Sequence, residues 1–144
     1  MYRDEWPHVL SLSGDGSVLA VGYPSDNICR VHEWKSGNWT QRGGDIAQVT
    51  QATGSDYFGI TISISSDGTI LAIGAIFNDG NGSSSGSVRV YQFNDTENSW
   101  NQMGDDINGV AAGDFLGYSV CKVRGRGSCI LHVERMSSSL VVWS

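Results

Sequence analysis

The sequence predicts an all-β chain assembled from repeated four-stranded antiparallel units. Two observations carry that prediction. Residues 11–22 read SLSGDGSVLAVG and residues 63–74 read SISSDGTILAIG, identical at seven of twelve positions at an offset of 52. Within the units apolar and polar residues alternate with a period of two, and no segment carries a 3.6-residue apolar stripe, so little or no helix is expected.

Three further blocks recur in the same order. Residues 39–46, WTQRGGDI, match residues 100–107, WNQMGDDI, at five of eight positions. Arg30-Val31-His32-Glu33-Trp34 corresponds to Arg89-Val90-Tyr91-Gln92-Phe93, and Asp56-Tyr57-Phe58-Gly59 to Asp114-Phe115-Leu116-Gly117. The strands of the second copy follow in order. Ile60, Ile62 and Ile64 alternate with Thr61, Ser63 and Ser65, the pattern of a half-buried strand. Asp67-Gly68 is a tight-turn signal. Ile70-Leu71-Ala72-Ile73 is apolar on both faces, as in a strand covered from two sides. A Gly/Ser-rich connection, residues 78–86, leads to a third strand with Val88, Val90, Tyr91 and Phe93, and Ser99 to Met103 make a short fourth.

Four antiparallel strands at a period of roughly 50–60 residues describe one blade of a β-propeller. One such sheet cannot bury both faces alone, so blades stack. A β-sandwich or a β-solenoid also alternates, but neither predicts that the same turn and the same Trp recur in each unit. The expected architecture is therefore incomplete: two blades, at about 4–58 and 59–117 within residues 1–120, plus a degenerate or truncated third repeat over 118–144. In that last stretch Gly117-Tyr118-Ser119-Val120 starts a strand, the expected turn is replaced by Lys122-Val123-Arg124-Gly125-Arg126-Gly127, and Ile130–Val133 and Leu140–Trp143 are candidates for the next two strands. Residues 1–120 hold 14 acidic and 5 basic residues, net −9, whereas residues 121–144 hold 1 and 4, net +3. A decayed repeat and an altered reading frame after Val120 both account for the change. Closed propellers contain four to eight blades, so the 144-residue chain reads as a piece of a larger assembly, completed by further blades in a longer chain or by self-association.

Composition narrows the function classes. An apolar fraction of 40% supports a core, and no apolar run approaches a membrane-spanning length. The net charge of −6 argues against nucleic acid, which needs clustered Lys and Arg. Met1 is followed by Arg3, Asp4 and Glu5 without an apolar leader, as in a cytosolic protein or a chain that begins inside a longer product. Cys29, Cys121 and Cys129 form neither a CxxC pair nor an even disulfide framework, and read as small buried or partly exposed thiols.

Phe58-Gly59, a strand, and then Gly74-Ala75 resemble the FG…GA(P) frame of FG-GAP repeats, the blade unit of integrin-α-like propellers. The first copy has Gly22-Tyr23-Pro24 at the second element, while Trp6-Pro7 stands where the FG pair belongs. The W-x-Q-x-G-x-D-I block and Gly86–Tyr91 are similar to this group too, so the resemblance covers about residues 4–120. It implies a non-catalytic propeller module, extracellular or surface-associated, that binds protein or glycan in adhesion. Two alternatives stand beside it: an intracellular WD40-like interaction scaffold and a fragment of a propeller-containing enzyme. The WD40 period of roughly 40–45 residues fits poorly with the offsets seen here.

Many FG-GAP blades bind calcium in a carboxylate-rich loop. Here the corresponding loops are Ser13-Gly14-Asp15-Gly16-Ser17 and Ser65-Ser66-Asp67-Gly68-Thr69, with one carboxylate each, whereas calcium needs six to eight oxygens. Each Asp is expected to support its own turn. Asn78-Asp79-Gly80-Asn81-Gly82 is oxygen-rich and begins like an EF-hand loop, but Arg89 stands where the bidentate Glu belongs; a flexible connection is the simpler role. His8, His32 and His132 are scattered. Asp105-Asp106, read as adjacent strand residues, would point to opposite faces, and only Asp106 matches a repeat position, that of Asp45. Trp39 and Trp100 are expected to pack blades. No catalytic, cofactor-binding or metal-binding residue is assigned. Asn38, Asn81 and Asn94 begin N-x-S/T sequons.

Overall fold

The computed structural model describes residues 8–48, 55–125, 128–134 and 141–143. The alternation builds three antiparallel sheets. The first contains β1 (Val9–Leu12), β2 (Val18–Tyr23), β3 (Ile28–Lys35), β4 (Asn38–Gln41) and β5 (Ile46–Ala47). The second repeats it with β6 (Thr61–Ile64), β7 (Ile70–Ala75), β8 (Ser87–Asn94), β9 (Ser99–Gln102) and β10 (Ile107–Asn108). The third has β11 (Ser119–Gly125), β12 (Ser128–Glu134) and β13 (Val141–Trp143), paired in that order. The only helical turn among the described residues is a single 3-10 turn, Pro24–Asp26. The all-β expectation holds: the first two sheets are incomplete propeller-type blades with almost no helix.

Each blade carries one strand more than its sequence predicts. The eight-residue β3 pairs through its C-terminal half with β4, Trp34 opposite Trp39, and through its N-terminal half with β5, Cys29 opposite Ile46. In the second blade, β8 pairs with β9 and β10 in the same way. The outermost strand is thus broken in two by a bend. A two-residue pairing has no period, so alternation cannot reveal it. Asp105 and Asp106 lie in this bend between β9 and β10 rather than in a strand, which corrects the premise that they alternate across a sheet. In the third sheet, the stretch Lys122–Gly125, expected to interrupt the repeat, continues β11 instead.

The repeated S-x-D-G-S/T segments close the β1–β2 and β6–β7 turns. Asp15 Oδ1 accepts hydrogen bonds from Ser13 Oγ at 2.8 Å and from the Ser17 backbone N–H at 3.0 Å, while Ser13 Oγ accepts from the Val18 N–H at 2.9 Å. Asp67, Ser65, Thr69 and Ile70 reproduce the arrangement. Short polar side chains thereby satisfy backbone donors that a two-strand turn leaves free.

The main core lies between the two blades. Val18, Ala20, Cys29, Val31 and Ile46 on one face of the first sheet meet Ile62, Ile64, Leu71, Ile73 and Tyr91 of the second. The far face of the second sheet, with Ala72 and Val88, packs on Leu116 and Val120. Glycine permits this spacing at a recurring contact. A Cβ on Gly22 would stand 2.1 Å from the Gly59 carbonyl oxygen, and one on Gly74 would stand 2.5 Å from that of Gly117. The glycine ending the second strand of each blade therefore meets the glycine before the next blade's first strand, both of the latter with φ near the left-handed region at 94° and 93°.

Candidate functional site

The up-and-down strand order sorts the connections into two ends. At one end lie the Asp-Gly turns and the β3–β4 and β8–β9 hairpins. At the other lie the β2–β3 and β7–β8 connections and the segments that lead from one blade to the next. The polar side chains that recur have structural partners. Arg30 grips Asp45 through two hydrogen bonds of 2.9 Å, and Gln41 Nε2 adds a third at 2.8 Å. Arg89, Asp106 and Gln102 repeat this clamp at 2.8, 2.7 and 2.8 Å. The clamp closes the bend between the two parts of the outer strand, which explains why R-V and W-x-Q-x-G-x-D-I recur together.

The electrostatics agree. Hydrogen bonds from Arg30 and Gln41 hold the Asp45 carboxyl below its ordinary range. Burial works against the charge of Asp106, but its bonds from Arg89 and Gln102 prevail and its pKa is lowered too. Asp15 falls to about 2, chiefly through the Ser17 backbone N–H and then the Ser13 and Ser17 hydroxyls. Burial raises the Cys29 thiol to about 12, so it is an inert core group rather than a nucleophile. Cys121 is exposed, and the side chain of Cys129 lies outside the described residues.

The blades differ at the second end. Blade one joins β2 to β3 through the 3-10 turn and Asn27, which is left-handed at φ 54°. Blade two joins β7 to β8 through the longer segment 76–86. This loop is tied down: Asn78 Nδ2 donates to Asp56 Oδ2 at 3.0 Å, the Ser84 N–H to Asp79 Oδ1 at 2.7 Å, and Asn81 Nδ2 to the Gly109 carbonyl at 2.9 Å. The Gly113 and Phe115 N–H groups donate to Ser83 and Ser84 carbonyls at 2.9 and 3.1 Å. The expected flexible connection is thus a knitted loop, docked on residues 109–116, and together they form one rim surface with Asp79, Asn81, Ser83 and Val110 exposed.

Beside it runs an aromatic row. Phe77 meets Tyr57 edge-on at 5.2 Å and Phe115 at 5.7 Å, and all three are half-buried. Tyr57 and Phe115 occupy equivalent repeat positions and both hold positive φ, 53° and 49°. Bulky residues rarely adopt this conformation, and such strain concentrates at functional surfaces. The block Asp-Tyr-Phe-Gly was legible as a repeat, but its strain was not, because nothing in the letters marks a Tyr as left-handed. Under the row, Asp56 is buried and is held by Gln48 Nε2 and Asn78 Nδ2.

The remaining singled-out residues do not converge on this rim. Asn38 is exposed on the β3–β4 hairpin, Asn94 turns its Oδ1 back to the Thr96 and Glu97 N–H groups, and only Asn81 lies in the loop. Trp100 packs on Phe93 at 5.1 Å, whereas Trp39 is exposed and meets Trp34 edge-on at 5.5 Å. No group of three or more His, Cys, Asp or Glu side chains close enough for a metal occurs among the described residues.

The frame Phe58-Gly59, β6, β7 and Gly74-Ala75 is now placed: its two glycines lie side by side at one end of the strand pair that carries the inter-blade core, Gly59 against Gly22 and Gly74 against Gly117. Residues 50–91 match the FG-GAP repeat family. The match runs from the segment joining the blades to Tyr91 in β8, so the FG-GAP resemblance read from the sequence is borne out for the second blade. No curated protein matches the chain. The FG-GAP unit supports a propeller-type module.

Proposed function

We propose that the chain is a non-catalytic recognition module in which FG-GAP blades hold a loop rim against a protein or glycan ligand in adhesion. One contrast carries this reading. The recurring polar side chains are committed to turns and clamps in both blades, while the β2–β3 and β7–β8 connections differ in length and conformation. A shared scaffold that carries loops of different length is the arrangement of a binding surface. The ligand surface in this reading is formed by Asp79, Asn81, Ser83 and Val110, with the row Tyr57, Phe77 and Phe115 beside it. Aromatic faces suit protein side chains and sugar rings alike. The setting is extracellular or at the cell surface, in keeping with the usual location of FG-GAP repeats, and no described helix is long and apolar enough to cross a membrane.

The test is binding of the full chain to arrayed glycans and to immobilised extracellular proteins, repeated with Ser83→Asp/Val110→Asp. Both side chains are off the core, so the circular dichroism spectrum should be unchanged while binding to the ligand found falls at least about tenfold. Binding indifferent to these changes, or turnover of the bound ligand, refutes the reading.

A further inference from the structure

Two Asn-Gly pairs meet across the rim: Asn81-Gly82 in the loop between β7 and β8, and Asn108-Gly109 where β10 ends. Such a pair is open to a reaction of its own, because the backbone nitrogen after an Asn can attack the side-chain amide carbon and a Gly has no side chain to hinder it. The structure treats the two pairs differently. Asn108 is half-buried and pairs with Ser87, and the N–H of Gly109, itself buried, donates to the Gly86 carbonyl at 2.9 Å. A Cβ on Gly109 would lie 2.0 Å from the Ser85 carbonyl oxygen, so its backbone has no room to turn. Asn81 is exposed, Gly82 stands at φ 128°, and the Gly82 N–H reaches the Asp79 carbonyl of the same turn at 3.2 Å.

We propose that Asn81 is a site of spontaneous deamidation, and that its conversion releases the loop from residues 109–116. The Gly82 nitrogen bonds to Asn81 Cγ, the Cγ–Nδ2 bond breaks, and the Gly82 proton leaves with Nδ2 as ammonia. Water then adds to the cyclic imide. Opening at Cγ gives Asp, and opening at the main-chain carbonyl gives isoaspartate, with an additional carbon in the backbone. Either product removes a tie. Nδ2 is the donor to the Gly109 carbonyl at 2.9 Å, and a carboxylate in its place sets an acceptor against an acceptor. The new charge finds no cation in either segment: residues 76–86 and 107–118 contain no Lys or Arg, and their charged residues are Asp79 and Asp114. Isoaspartate also adds length where space is short, since a Cβ on Gly82 would already lie 3.1 Å from Ala112. The Gly113 and Phe115 N–H groups, which donate to the Ser83 and Ser84 carbonyls, are the next bonds to open. The reaction needs no ligand and stands whether or not the rim binds one.

The test is to age the full chain in mildly alkaline buffer, digest it, and read Asp and isoaspartate at each Asn-Gly pair by mass spectrometry. In the folded chain Asn81 should convert severalfold faster than Asn108. In urea the two rates should converge, because the fold is what separates them. The converted fraction, isolated by its added negative charge, should show severalfold faster hydrogen exchange at Gly113 and Phe115 than the fresh chain. Asn81→Asp should reproduce part of that gain without ageing. The ageing series uses the unsubstituted chain, so it gives an answer even if the variant fails to fold. An Asn81 that stays intact, equal conversion of Asn81 and Asn108 in the folded chain, a difference that persists in urea, or unchanged exchange at Gly113 and Phe115 in the converted fraction overturns the proposal.

Discussion

Blade one and blade two share their turns, their clamp and their strand order, yet among the described residues only blade two has a sheet packed on each face. The difference teaches how little of a blade's burial is its own doing. Leu12 and Ile64 stand at the same repeat position in the same kind of strand, and one is open while the other is core. Periodicity says which side chains share a face. What covers that face is decided by the neighbouring sheet.

That comparison can be broken most forcefully at the glycine contact. Gly74→Ala would push a Cβ against both Thr61 Oγ1 and the Gly117 carbonyl, and should cost about 2–4 kcal/mol in urea unfolding. Gly22→Ala, against Gly59, should be comparably severe, because this contact exists on both sides of the second blade. A mild loss in both would mean that the sheets are not closely stacked. Next in size is the paired truncation. Ile64→Ala should cost about 2–4 kcal/mol, and Leu12→Ala no more than about 1 kcal/mol in dilute solution. Equal losses would erase the distinction between the blades.

Arg42 offers a finer probe. Its guanidinium lies 4.0 Å from the Phe93 ring centre and donates to the Gly68 carbonyl at 3.0 Å, while Met103 takes its place in the second copy. Arg42→Met should cost about 1–2 kcal/mol, and Met103→Arg should be nearly neutral, since Met103 is exposed. The smallest effect is expected from acid. The carboxyls of Asp15, Asp45 and Asp106 are all lowered in the folded chain. Their contribution is present above the unfolded value of 3.8 and is lost as pH falls through the folded values, about 2 for Asp15. A melting temperature followed downward from pH 5 should decline over this window, and Asp106→Asn should flatten part of the decline. A flat profile would show that the clamps do not support the fold.

Much of this architecture was readable from the letters because it repeats. The S-x-D-G turn, the R-V strand and the W-x-Q-x-G-x-D-I block each mark a physical unit, and the pairing of Arg89 with Asp106 explains why two of them travel together. The short strands β5 and β10 were not readable, since two residues have no period. Nor was the exposure of Trp39, whose sequence block is the same as that of the half-buried Trp100. The rim was legible only as a Gly/Asn/Ser stretch: its order comes from hydrogen bonds to residues 109–116, and a sequence does not announce a partner thirty positions away.

The broken outer strand has a consequence for solubility. A continuous edge of free N–H and C=O groups invites pairing with any other strand and, repeated, leads to fibres. Here that border consists of four residues, a clamped bend and two more, so a visiting strand finds no long register to extend. Successive blades can therefore be added broadside, through side chains chosen for the purpose, while growth in the hydrogen-bonding direction is hindered at this outer edge.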